Sequence, residues 1–208
     1  MDLGIKDQLF IVGGATSGLG KGVAEALMAE GAKVIAVARS EDKLAALVKE
    51  HPGQVEPLAL DLTQEGVITQ LVQALGKRTL SGLVVNAGGP PAMPAKETSL
   101  QDWDDAYAGV FRWKIDLVNQ VLPAMIDRAY GRILFIESMS VKQPVENLVL
   151  SNSMRLAVVG YVKTLSNEIA KHGVTLNILA PGYHDTPRIT SLLKKNASLK
   201  RMSEEEVR

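Results

Sequence analysis

A glycine-rich turn set between an apolar run and an amphipathic segment constrains this chain more than any other feature. Leu9-Phe10-Ile11-Val12 leads directly into Gly13-Gly14-Ala15-Thr16-Ser17-Gly18-Leu19-Gly20, so a buried strand must become a helix within a few residues. From Leu19 onward Val23, Ala26 and Leu27 recur at helical spacing, Gly31 stops the helix, and Lys33-Val34-Ile35-Ala36-Val37-Ala38 predicts a second buried strand. Gly14, Gly18 and Gly20 have no side chains to hold a phosphate away, and the free N–H groups and positive end of the following helix suit a pyrophosphate. Close helix–strand packing gives the same composition without a ligand. The strand-turn-helix-strand setting, however, is the one a dinucleotide fingerprint requires, and it makes a nucleotide cofactor the first expectation.

The alternation continues along the chain. Val55–Leu60 predicts a third strand, Thr63 caps a helix through Leu75, and Gly82–Val85 is a fourth strand ending in Asn86-Ala87-Gly88-Gly89. Pro90, Pro91 and Pro94 force a loop, and Ser99 with Asp102 signals the start of a long helix from about Leu100 to Ala129, which Pro123 is expected to kink. Gly131–Ile136 is a fifth strand, Ser151–Lys171 a helix closed by Gly173, and Val174–Leu179 a sixth strand. Strands separated by helices imply an α/β fold, a doubly wound parallel sheet in three layers.

At 208 residues the chain has the size of a single domain, 1–208, with a substantial core. Lys plus Arg and Asp plus Glu balance at 23 each, which argues against nucleic acid or an anionic membrane surface as the main partner. There is no cysteine, and His51, His172 and His184 have no metal-ligand spacing, so no metal site is expected. No apolar stretch has the form of a signal peptide or membrane span, which makes the cytoplasm the default compartment. The charge run Glu204-Glu205-Glu206 is expected to be a solvated helix face.

Ligands of such sheets bind beyond the carboxyl ends of the strands. At the end of the second strand an acidic side chain would bond the adenosine ribose hydroxyls, whereas a cation favours a 2′-phosphate. Ala38 cannot do the first; Arg39, with its planar fork of donors, can do the second, and Ser40 adds a hydroxyl. NADP(H) is thus expected in preference to NAD(H), the competing role for Arg39 being a solvated charge at the next helix. Asp61 and Leu62 close the third strand, where they would edge the adenine or, equally, form a turn.

These residues resemble the short-chain dehydrogenase/reductase family along nearly the whole chain. The resemblance rests on Gly14-Ala15-Thr16-Ser17-Gly18-Leu19-Gly20, Asn86-Ala87-Gly88, Ser138 after the fifth strand, and Pro181-Gly182 with Thr186 after the sixth. It implies a Rossmann-type sheet and a nicotinamide cofactor contacted by those residues. It also implies hydride transfer to or from a small carbonyl or alcohol substrate, and a homodimer or homotetramer. The segment from Ser138 to Asn152 is similar to a divergent branch labelled by analogy with 3-oxoacyl carrier-protein reductases.

The site departs from the family pattern. Where a tyrosine followed four residues later by a lysine is usual, this chain has Ser151 and Arg155, in register with Ser138. An aliphatic hydroxyl is a far poorer general acid than a phenol, and Arg155 can bond ribose hydroxyls but cannot relay a proton. Val110 stands in place of the family's helix asparagine, and Tyr161 has Leu165, not lysine, four residues on. Ser138, Ser151 and Arg155 are the candidate catalytic set. Lys142 and Tyr183 lead the candidates for a substitute acid, followed by Glu146, His184 and Tyr107. Relative to the family, the chain is expected to lack a final helix and strand. The alternative to an oxidoreductase is an inactive NADP(H)-binding sensor or scaffold.

Overall fold

The computed structural model describes residues 3–186 and, beyond them, 189, 190, 193, 197 and 203; Glu204–Glu206 lie outside. Among the described residues six strands form one sheet: β1 (Leu9–Gly13), β2 (Lys33–Ala38), β3 (Val55–Ala59), β4 (Leu80–Val85), β5 (Gly131–Ile136) and β6 (Val174–Leu179). All pairings are parallel, in the order β3-β2-β1-β4-β5-β6. This is the doubly wound Rossmann arrangement, and its order reverses between β1 and β4, where a crevice opens beyond the strand ends.

Burial explains the order. Every residue of β4 is buried, and so is all of β2 after Lys33, as apolar runs covered on both faces require. The outer strands β3 and β6 are only partly buried. Pro57 is tolerated in β3 because an edge strand can spare an N–H. Helices α1 (Gly18–Ala29) and α2 (Glu41–Glu50) cover one face, packing Ala24, Met28, Leu44 and Leu47 against Val12, Val34 and Ala36. On the other face lie α3 (Val67–Leu75), α5 (Trp113–Asp127) and α6 (Val149–Ile169), around Ile11, Ile35, Leu83 and Phe135. Among the described residues no helix is long and apolar enough to cross a membrane.

Two expectations need correction. Thr63 caps no helix: its N–H and hydroxyl both donate to Asp61 Oδ1, at 3.1 and 2.8 Å, closing a local turn, and α3 starts at Val67 behind Gly66 in the left-handed conformation. The long helix is not continuous. It divides into α4 (Leu100–Ala106), opened by a reciprocal Ser99–Asp102 capping box, a π-helical turn over Tyr107–Arg112, and α5. Pro123 lies within α5 without ending it, so the change of hydrogen-bond pattern falls at the π turn, where Trp113 Nε1 donates to the Gly109 carbonyl at 3.0 Å.

Candidate active site

The β1–α1 turn is held from below. Asn86 Nδ2, at the end of β4, donates to the Gly13 carbonyl at 3.0 Å. A Cβ on Gly14 would lie 2.7 Å from Asn86 Nδ2, and Gly14 also has φ +62°. A Cβ on Gly20 would stand 2.3 Å from the Gly14 carbonyl oxygen, so this glycine is demanded by helix–turn packing. Gly18 is different: its Cβ would make only ordinary contact with Thr186, and its φ of +52° is what calls for glycine. Ser17 precedes α1 in extended conformation and makes no side-chain cap bond, which leaves first-turn N–H groups for an anion. Around Gly88 and Gly182 an added Cβ would meet nothing within 4 Å. A bare helix end beside open glycine backbone fits a pyrophosphate.

A cavity of about 570 Å³ lies beyond β1, β2, β3 and β4. It is lined by Gly14, Thr16, Ser17, Arg39, Ser40, Asp61, Leu62, Ala87 and Gly88 of the expected cofactor set. A second, of about 280 Å³, is lined by Ser17, Gly18, Leu19, Asn86, Ser138, Ser151, Arg155, Pro181, Gly182 and Thr186. Both touch Gly14, Ser17, Ala87, Gly88 and Gly89 and so form one cleft across the switch point. Gly20 lines neither, in keeping with its packing role. Ser40 has a second task, since its side chain caps α2 by accepting from Lys43 N at 3.4 Å. Lys43 lines the cleft with Arg39 and is a cation the sequence reading missed, although its place in the first turn after Ser40 pointed to it.

At the other end of the cleft, two serines present hydroxyls that each already accept one hydrogen bond. Ser138 Oγ accepts from Ser140 N at 3.2 Å, and Ser151 Oγ accepts from Arg155 Nε at 3.1 Å. Neither N–H can accept in return, so each serine retains its own proton for another partner. The Ser151–Arg155 bond is the i, i+4 geometry expected on α6.

Arg155 is tied into a buried ionic chain that sequence reading did not identify. Its Nη1 donates to Glu137 Oε2 at 2.8 Å, and the other carboxylate oxygen, Oε1, takes Lys114 Nζ at 2.5 Å. The Lys114 and Glu137 side chains are 4% and 0% exposed and that of Arg155 12%, so one carboxylate serves two cations out of water. Burial pushes the Lys114 ammonium down to about 8; Glu137 opposes the shift and Arg155 adds to it. A signal existed. Lys114 falls on the apolar stripe of α5 with Leu117, Val118 and Val121, and Glu137 directly follows the buried end of β5.

Of the substitute acids, His184 lines the cleft, with Nδ1 3.1 Å from the Gly182 carbonyl oxygen. Lys142, Glu146, Tyr107 and Tyr183 line neither cavity. Tyr161 packs edge-on against Phe111, and burial pushes its phenol up to about 12. Among the described residues, Glu25, Glu50 and His51 come within 4.8 Å of one another. Lys21 already pairs with both carboxylates, at 3.4 and 3.7 Å, which makes the cluster an ion-pair network.

Fold and cleft together define a dinucleotide-binding α/β protein. Residues 8–197 match the sequence profile of the short chain dehydrogenase family. The chain is 34% identical over 203 residues to the "Granaticin polyketide synthase putative ketoacyl reductase 1" of Streptomyces violaceoruber, covering 94% of this chain and 75% of that one. It is 28% identical over 196 residues to the 3-oxoacyl-[acyl-carrier-protein] reductase of Thermotoga maritima, covering 92% and 80%. The L-sorbose reductase of Gluconobacter frateurii, solved with NADPH and L-sorbose, superposes with a TM-score of 0.87 at 25% identity, covering 95% of this chain and 78% of that one. The chain belongs to the short-chain dehydrogenase/reductase family and is an enzyme of that oxidoreductase type.

Proposed function

We propose that the protein is an NADP(H)-dependent oxidoreductase acting on a small carbonyl compound or secondary alcohol. The observation that carries this reading is the pair of hydroxyls at Ser138 and Ser151, both lining the cleft with their protons uncommitted to the N–H groups that engage them. When bound, the nicotinamide supplies or accepts hydride at its C4. The two serines donate hydrogen bonds to the substrate oxygen, where negative charge grows as hydride reaches the carbonyl carbon. Arg155, fixed on Glu137, holds Ser151 and offers further N–H donors to ribose hydroxyls. The alkoxide that forms takes its proton from solvent water reaching the cleft, and the hydroxide left behind is neutralised by bulk buffer; oxidation runs the same exchange in reverse.

The experiment is NADPH titration followed by turnover assays with ketones, aldehydes, 3-oxoacyl thioesters and secondary alcohols. Cofactor-dependent conversion of any of them supports the reading. Tight NADPH binding without turnover across the panel supports a binding protein instead, a second reading favoured by the absence of a tunable phenol at position 151.

Cofactor preference rests on Arg39 and Lys43 beside the cleft and on Ala38, which offers an unphosphorylated ribose nothing. A charge-assisted bond of roughly 1.5–3 kcal/mol sets the expectation: NADPH binds about ten- to a hundredfold more tightly than NADH, and Arg39→Ala erases most of the difference. Calorimetry showing equal affinities in the parent would refute the assignment. Assembly as a symmetric dimer or tetramer is expected through the faces that leave Leu156 of α6 and Tyr107 of the π turn each 46% exposed. Light scattering at micromolar concentration checks it, and a monomer contradicts it.

A further inference from the structure

We propose that Lys114 and Glu137 are positioning residues of this site: together they hold Arg155 on Ser151 and leave one surplus positive charge beneath the hydroxyl pair, so that the pocket stabilises an anionic oxygen. This rests on the oxidoreductase reading for its catalytic consequence but not for its geometry.

The geometry is a chain from α5 through β5 to α6: Lys114 Nζ to Glu137 Oε1, Glu137 Oε2 to Arg155 Nη1, and Arg155 Nε to Ser151 Oγ. Glu137 and Arg155 alone would be a neutral pair. Lys114 satisfies the buried Glu137 Oε1, but desolvation offsets much of that attraction, so its distinctive contribution beyond a neutral Glu137–Arg155 pair is the surplus charge. What Lys114 does add is charge, with its carboxylate partner already shared. That charge lies close to Arg155, which lines the cavity with Ser138 and Ser151. In water-poor surroundings a fixed cation favours an oxyanion more than a neutral carbonyl, and the differential effect lowers the barrier to hydride transfer.

The sign of the pH dependence follows. Among the described residues the charged groups facing Lys114 are Glu137, directly after β5, and Arg155 from α6, with the Trp113 ring 5.8 Å from Nζ on its own helix. Below about 8 the chain carries one net positive charge; above it Lys114 loses its proton and the chain becomes neutral. The stabilised oxyanion, and with it kcat, declines on the alkaline side.

Lys114→Met is the decisive variant, because it leaves the Glu137–Arg155 pair neutral at similar packing volume, and the accompanying loss of one partner at Glu137 Oε1 is read separately as a fall in Tm; Lys114→Arg keeps a cation that does not titrate. With full-length protein, kcat is expected to fall about tenfold in Lys114→Met with NADPH affinity unchanged and the alkaline decline lost. Lys114→Arg is expected to rescue kcat and hold it above pH 8. A readout independent of turnover uses acetate as the oxyanion probe, titrated calorimetrically into NADP+-loaded protein: binding weakens about tenfold in Lys114→Met and is restored in Lys114→Arg. If Lys114→Met keeps the parent's pH profile and acetate affinity, or if the parent binds no acetate, the proposal is overturned. Turnover by the parent in that case leaves the oxidoreductase reading standing. Conversely, acetate binding that depends on the charge at 114, in a protein without turnover, supports the electrostatic role while the oxidoreductase reading fails.

Discussion

Gly20→Ala is expected to unfold the nucleotide turn. The new Cβ would lie 2.3 Å from the Gly14 oxygen, 2.8 Å from the Gly13 oxygen and 2.7 Å from Asn86 Nδ2, and two of the three neighbours are backbone that cannot rotate away. Overpacking of this kind costs about 3 kcal/mol, which for a domain of this size lowers Tm by roughly 6–12 °C. The same displacement pushes α1 off the turn, so NADPH affinity is expected to drop about a hundredfold or more. Gly22→Ala is the control: it lies in the same helix with nothing within 4 Å of its added Cβ, and alanine there is expected to stabilise by up to about 1 kcal/mol. Thermal melts and cofactor titration of the two variants separate packing from helix propensity. Equal melting temperatures would show that the turn is not held as described.

Restoring the family's usual pair, Ser151→Tyr with Arg155→Lys, is expected to raise carbonyl reduction about a hundredfold, the lower range for a well-placed general acid. A phenol with an ordinary pKa near 10 is brought toward neutrality by an adjacent cation, whereas a serine hydroxyl is not. The structure adds a reason for changing both residues. Arg155 Nε is committed to Ser151 and Nη1 to Glu137, so a tyrosine alone would face a guanidinium already anchored elsewhere. A lysine at 155 can keep the Glu137 partner while presenting a compact ammonium. Steady-state assays of parent, single and double variants decide the outcome. If the parent reduces a substrate that the double variant does not, the native mechanism uses a donor other than a phenol at 151, and Lys142 and Tyr183 are the next residues to replace.

Much of the fold is written in local pattern. Apolar runs of strand length, glycines at their ends and helical spacing between them imply a parallel sheet before any contact is known, whereas the order β3-β2-β1-β4-β5-β6 is set by how those units pack. The relation between Ser151 and Arg155 is equally local, because residues four apart on one helix are neighbours wherever that helix lies. Capping by Ser99 and the place of Arg39 after β2 belong to the same class. Local pattern misled where a short-range bond competed with a helix, as when Asp61 captured Thr63, and where the hydrogen-bond register shifted over Tyr107–Arg112.

The ionic chain beneath the site is another matter. Lys114 and Glu137 are 23 residues apart, and Glu137 and Arg155 are 18 apart, on three different elements. In sequence each is a single charge on an otherwise buried face, an anomaly with no stated partner. Only the packing of α5 and α6 against β5 brings one carboxylate between two cations, and only there does burial lower the Lys114 pKa. Periodicity within one element fixes which way a residue faces; what it meets there depends on how separate elements pack, and in a dry interior that pairing decides the charge a site can offer to its substrate.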